Sequence, residues 1–308
     1  MHPAWSVIVF TTVAGAAQGL VVALAAAILL GVPLDAGYLD RALLLALLML
    51  VVGLGASFLH LGRPERAWRA VTMWRTSWLS REVIVLPAFI GVVALWWFAL
   101  RSGWSAPWLP VLVIAMALLL WLCTAMIYVC IRFIQEWAHG LTVVNYTLIG
   151  LASGALLAAA LAAVLGQPDF ARALLRWALG VTVLAWATRT IALRRNASLK
   201  PKSNLQSATG IRAPKLVQKS MGMSAGSFNT REFFHGASAA AIRHVRLTLH
   251  ALGFLVPALL MVLALHFGAP LVLLPLAFVI QAAGLVAERW LFFAQARHPQ
   301  NLYYQTVS

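Results

Sequence analysis

Residues 41–60 read Arg41-Ala-Leu-Leu-Leu-Ala-Leu-Leu-Met-Leu-Val-Val-Gly-Leu-Gly-Ala-Ser-Phe-Leu-His60, a nearly unbroken apolar run that ends on a histidine. About 20 apolar residues are enough to cross a ~30 Å hydrocarbon core as a helix. In lipid every backbone N–H and C=O must be satisfied within the protein, so continuous runs of this kind are helices. A β-barrel strand would alternate instead, and these runs do not. Runs of similar length recur along the whole chain of 308 residues, of which 62% are hydrophobic and 10% charged. The sequence therefore predicts an all-α integral membrane protein with eight spans, near 5–30, 41–61, 81–100, 107–131, 142–165, 172–193, 247–267 and 270–293. These form one transmembrane domain over 1–308. The N-terminus is apolar from Ala4 without a basic flank or a cleavage site, so it reads as a retained first helix.

An even number of spans puts both termini on one side, and charge decides which. Nineteen of the 23 basic residues fall on connections at the face shared with the termini, among them Arg63, Arg66, Arg69, Arg75, Arg81, Arg189 and Arg289. Only Arg41, Arg101, Arg172 and Arg176 fall opposite. Positive residues stay cytoplasmic, so both termini are expected inside, in a bacterial inner membrane. The net charge of +15 follows from this asymmetry, and no nucleic-acid motif accompanies it.

Between spans 6 and 7 lies a basic stretch, 194–246. A connection this long is functional or disordered. Lipid headgroups would attract its charges. Phe228, Phe233 and Phe234 favour the alternative, a docking strap for a cytoplasmic partner.

The second span runs into Ser57-Phe-Leu-His-Leu-Gly-Arg-Pro64, and the third opens with Leu79-Ser-Arg-Glu-Val83. Both ends meet at one membrane face, so His60 and Glu82 are expected to be neighbours. Ionisable groups at that depth are costly and point to function. An imidazole and a carboxylate there suit a membrane-dissolved substrate that gains and loses protons, a quinone above all. Each residue also has a plainer reading. His60 suits a helix C-terminus, and Glu82 would be a first-turn acid if Ser80 were the N-cap. Trp74, Trp78 and Arg81, with Trp68, could wall a planar headgroup, although interfacial tryptophans are ordinary. Glu288 and Arg289 read as an internally paired couple. Arg132, Gln135, Glu136 and His139 read as interfacial, and Cys123 and Cys130 as core packing.

No Cys or His cluster offers a metal or iron–sulfur site, so no metal is expected. His250 and His266 bracket span 7 near opposite faces, where bis-histidine ligation of a haem is not expected. The chain can supply protonatable groups, but its electrons would have to come from a partner.

The His60 and Glu82 motifs resemble the membrane anchor of dimethyl sulfoxide reductases, the DmsC family within the wider NrfD and polysulfide reductase group. Glu288-Arg-Trp-Leu-Phe-Phe293 adds a weaker likeness. The opening Met1-His-Pro-Ala-Trp-Ser-Val resembles anchors of cytoplasmic sulfite dehydrogenases, the SoeC-like branch. The resemblance implies a quinone site, for ubiquinone or menaquinone, at His60 and Glu82. It also implies two cytoplasmic partners. One carries a molybdenum bis-pyranopterin cofactor and the other [4Fe–4S] clusters. Electrons would pass from sulfite to quinone. The runner-up is quinol oxidation serving reduction of dimethyl sulfoxide. The long 194–246 stretch departs from the shorter sulfoxide reductase anchors. A secondary transporter is the alternative from another class, but the chain lacks an internal repeat, and Pro87, Pro257 and Pro275 do not form a matched pair of helix breaks.

Overall fold

The computed structural model describes residues 1–59, 61–217, 219 and 235–299. Eight helices are long and apolar enough to cross a membrane: α1 (Trp5–Leu29), α2 (Ala36–Phe58), α3 (Trp78–Ser102), α4 (Leu109–Val129), α5 (Gly140–Val164), α6 (Pro168–Ala197), α7 (Ala239–Phe267) and α8 (Pro270–Ala294). Each falls on an expected span, and no strand occurs among the described residues.

α1 and α5 occupy the centre, with 67% and 72% of their apolar windows buried against 39% or less for the others. α2 and α4 flank α1, with α3 between them, while α6 and α8 flank α5 and carry α7. The central crossing depends on absent side chains. A Cβ on Gly19 or Gly154 would run into the backbone of the facing helix. Membrane helices gain little by burying apolar surface from lipid, so close backbone approach at small residues is their means of packing. A second such contact joins Gly253 on α7 to Gly284 on α8. Gly253 lies in a π turn, Ala251–Leu255, just before Pro257. Pro257 has no N–H to donate, and the wide turn absorbs that irregularity.

Two boundaries differ from expectation in a way that bears on the site. α6 continues to Ala197, and α7 begins at Ala239, so the ends of the 194–246 stretch belong to helices. Between them lies a one-turn helix, Leu205–Thr209, capped reciprocally by Asn204 and Ser207. Phe228, Phe233 and Phe234 lie outside the described residues. So does His60.

Candidate functional site

The loop between α2 and α3 contains a 3-10 segment, Pro64–Met73, whose residues are exposed or half-buried. α3 is capped by Ser77 and not by Ser80. The Ser77 hydroxyl accepts the Ser80 N–H at 3.4 Å, and the helix starts at Trp78. Glu82 is therefore the fifth residue of α3, past the first turn where the helix dipole favours an acid. The dipole does not account for it.

Glu82 points into the bundle and is 6% exposed. The Thr124 hydroxyl, on α4, donates a hydrogen bond to its carboxylate. Arg81, the next residue along, turns outward. Its guanidinium lies 4.1 Å from the Trp78 ring centroid and donates to the carbonyls of Trp74 and Arg75 at 2.9 and 2.8 Å. Arg81 and Trp78 are thus in contact. Trp74 joins them through its backbone, its own ring exposed beneath the Arg75 guanidinium.

Thr124 also lines a cavity between α1, α4, α5 and α8, with about 420 Å³ of empty space including its open part. Gln18, Trp121, Tyr146, Ser153 and Arg289 line it too. Gln18 Oε1 and Trp121 Nε1 have no hydrogen-bond partner among the described residues. Buried polar atoms facing an enclosed space are ordinarily satisfied by water. Behind Glu82, therefore, the interior is polar where the rest of the α1–α4 half is hydrocarbon.

A second polar centre lies across α5. Glu288, 1% exposed, takes Arg189 on one carboxylate oxygen (2.8 Å) and Arg289 on the other (3.3 Å). The Arg289 guanidinium sits 3.8 Å over the Tyr146 ring, against an aromatic cluster of Tyr128, Trp137, Phe292 and Phe293. Nearby, Trp186 Nε1 donates to His250 Nδ1 at 3.0 Å. The expected Glu288–Arg289 couple is present, but Arg189 is its unforeseen third member. Counted from sequence as a loop charge, Arg189 is 2% exposed, and Arg289 is equally internal. Ionisable groups at membrane depth tend to pair with one another, but nothing in the sequence says that Arg189 is the residue that reaches Glu288. Nor does it single out Thr124 or Tyr146.

The α4–α5 connection closes this centre at the terminal face. Glu136 lies in this connection and is buried, with the Arg297 Nε 3.8 Å away. His139 caps α5 through Nδ1, which accepts the Leu141 N–H at 3.1 Å. Partial desolvation of this largely exposed ring, and then the neighbouring Arg195, hold its pKa below the usual histidine value. Cys123 packs in the core, whereas Cys130 is exposed at the C-cap of α4 and does not pack in the core as expected.

With this geometry in view, comparison with known proteins is informative. The family model of the dimethyl sulfoxide reductase anchor subunit (DmsC) matches residues 1–295. The chain belongs to that family. This anchor-family protein is also 48% identical to a sulfite dehydrogenase subunit of Allochromatium vinosum, over an alignment of 331 positions covering all of both chains. Similarity to the anaerobic dimethyl sulfoxide reductase chain YnfH of Escherichia coli is more distant, 31% over 119 residues, or 37% of this chain and 41% of that one. The chain is thus a multi-pass membrane protein of an anchor family, and its likeness to the sulfite dehydrogenase subunit runs end to end.

Proposed function

We propose that this anchor protein holds a molybdopterin and iron–sulfur oxidoreductase at the cytoplasmic face of the bacterial inner membrane and exchanges electrons with quinone beside His60 and Glu82. The observation that carries the reading is Glu82, a buried carboxylate gripped by Thr124 and backed by a polar cavity, in a chain of this family. Family membership alone would fit a purely mechanical anchor. An intramembrane carboxylate next to a loop of tryptophans and arginines suits a site where protons are exchanged.

In this reading the quinone headgroup would lie on the loop side of Glu82, with Trp78 and Arg81, which contact each other, as one wall. The cavity behind Glu82 takes water-sized guests and supports the carboxyl group without receiving the ring. Ubiquinone or menaquinone bound there would supply a two-electron, two-proton acceptor. Glu82 holds a proton at its carboxyl oxygen and releases or accepts it beside the carbonyl. Thr124 fixes the orientation of that carboxyl. His60 is the second proton-exchanging group of this reading. The tryptophans limit access of water. Partner proteins would contribute the molybdenum bis-pyranopterin cofactor and [4Fe–4S] clusters. Their docking surface would be the exposed basic loop of Arg63, Arg66, Arg69 and Arg75.

The full-length likeness to the Allochromatium sulfite dehydrogenase protein favours electron flow from sulfite. Sulfite and water give sulfate, two protons and two electrons, and quinone takes up two of each. The test is sulfite-driven reduction of a quinone analogue by the intact complex. His60→Ala and Glu82→Gln are each expected to abolish it while the partners remain bound. Wild-type turnover in both variants would overturn the site. Turnover only in the reverse sense, from quinol to dimethyl sulfoxide, would move the assignment to the sulfoxide reductases.

A further inference from the structure

Beneath the α4–α5 connection, between α5, α6 and α8, lies a second cavity of about 330 Å³ of empty space including its mouth. Its charged wall consists of Arg189, Arg195, Arg289, Glu136 and Glu288, three cations against two anions. We propose that this cavity binds a small monovalent inorganic anion, of halide size, against the Arg189 guanidinium.

Glu288 is divided between Arg189 and Arg289. Glu136 is engaged by Arg297, through both its side chain at 3.8 Å and its backbone N–H at 3.4 Å. Arg289 is further stabilised by the Tyr146 ring. Arg195 donates to the Gln135 carbonyl and to Asn196 Oδ1. Arg189 and Arg289 share the one Glu288 carboxylate, so the buried triad carries one net positive charge. Arg189 lines the cavity, and its Nη2 is fully buried with no acceptor among the described residues. A buried guanidinium is always charged, so it cannot escape the cost of desolvation by losing its proton. Burying two such charges against a single countercharge is highly unfavourable. Water would satisfy the hydrogen bond but leave the wall's single excess positive charge uncompensated. A monovalent anion satisfies both.

Size restricts the choice. The enclosed part is small, which favours a single-atom halide over a tetrahedral oxyanion or a lipid phosphate at the Arg189 position. Exposed His139 and half-buried Arg195 stand on the wall at the terminal-face side, and the fixed charge of Arg195 favours entry of an anion. The inference is independent of the quinone reading, since none of these groups touches Glu82.

The experiment uses the full chain purified in detergent with sodium gluconate, whose anion is too large to enter. Sodium chloride is then titrated at constant ionic strength. The expected result is broadening of the ³⁵Cl resonance that bromide competes away and sulfate does not. The midpoint of thermal unfolding should also rise by about 3 °C or more at 100-fold excess over Kd. Glu288→Gln increases the excess charge and is expected to tighten chloride about tenfold, whereas Arg189→Gln should abolish the broadening. If Glu288→Gln fails to fold, Arg195→Gln on the wall should weaken chloride several-fold. An unaffected ³⁵Cl line, broadening that survives Arg189→Gln, or displacement by sulfate at lower concentration than bromide would each overturn the proposal. The last would indicate oxyanion binding at the basic surface.

Discussion

The Thr124 hydroxyl on α4 donates to the carboxylate of Glu82 on α3, and this contact is what orients a buried acid near the end of its helix. A hydrogen bond to a charged acceptor contributes about 1.5–3 kcal/mol. Thr124→Val keeps the shape and removes the donor. It is expected to leave the eight-helix fold intact and to lower quinone-linked turnover several-fold, with Thr124→Ser restoring it. Glu82→Gln removes the exchangeable proton itself and should cost about 10²-fold or more. Steady-state assays of the complex, separating kcat from KM, check both. Equal turnover in Thr124→Val and wild type would show that the carboxyl needs no such alignment.

The Arg189–Glu288–Arg289 triad ties α6 to α8 inside the bundle. Removing only the acid leaves two buried guanidinium groups facing each other. Breaking a buried ion pair in this way typically costs about 3–5 kcal/mol. Glu288→Ala is therefore expected to lower the unfolding midpoint markedly or to prevent accumulation of the protein. A triple replacement by methionine removes charge and partner together and is expected to stay within about 2 kcal/mol of wild type. Denaturant titration of the purified variants distinguishes the two outcomes.

The same triad shows where sequence reading succeeds and where it stops. The eight spans were legible because hydropathy over ~20 residues is a local quantity and the bilayer fixes the length. Glu288–Arg289 was legible because the residues are adjacent. Arg189 was not, because only the packing of α6 on α8 brings it to Glu288 from a distant part of the chain. Ser80 looked like the α3 cap because Glu82 follows it closely at the start of an apolar run. Which serine caps depends on where the preceding 3-10 segment delivers the chain. Thr124 carries no charge and no periodic signal, so its bond to Glu82 emerges only once α3 and α4 are placed side by side.

Gly19, Gly150 and Gly154 allow α1 and α5 to cross with their backbones in contact. The atoms that a Cβ at Gly19 or Gly154 would strike are backbone, so no rotamer change relieves the clash and the helices must separate. Gly154→Ala is expected to destabilise the fold by about 1–3 kcal/mol, and Gly154→Leu by more. Gly91, where a Cβ meets open space, is the control: Gly91→Ala should be neutral or slightly stabilising. Thermal unfolding of the three variants in one detergent tests the ranking.

His139 makes the α4–α5 corner sensitive to acid. Its Nδ1 must be unprotonated to accept the Leu141 N–H, and partial desolvation, followed by Arg195, depresses its pKa in the folded state. In the unfolded chain the ring titrates near 6.5. Below that value the unfolded state binds more protons than the folded one. The cap's contribution is therefore complete above pH 6.5 and declines as pH falls toward the folded-state pKa. Protection of the Leu141 amide against hydrogen exchange, corrected for the intrinsic rate, should fall between pH 7 and pH 5. In His139→Ala the amide should be less protected throughout, by the equivalent of about 0.5–1 kcal/mol, and the pH dependence should vanish. A pH dependence that persisted in the variant would assign the titration to another group.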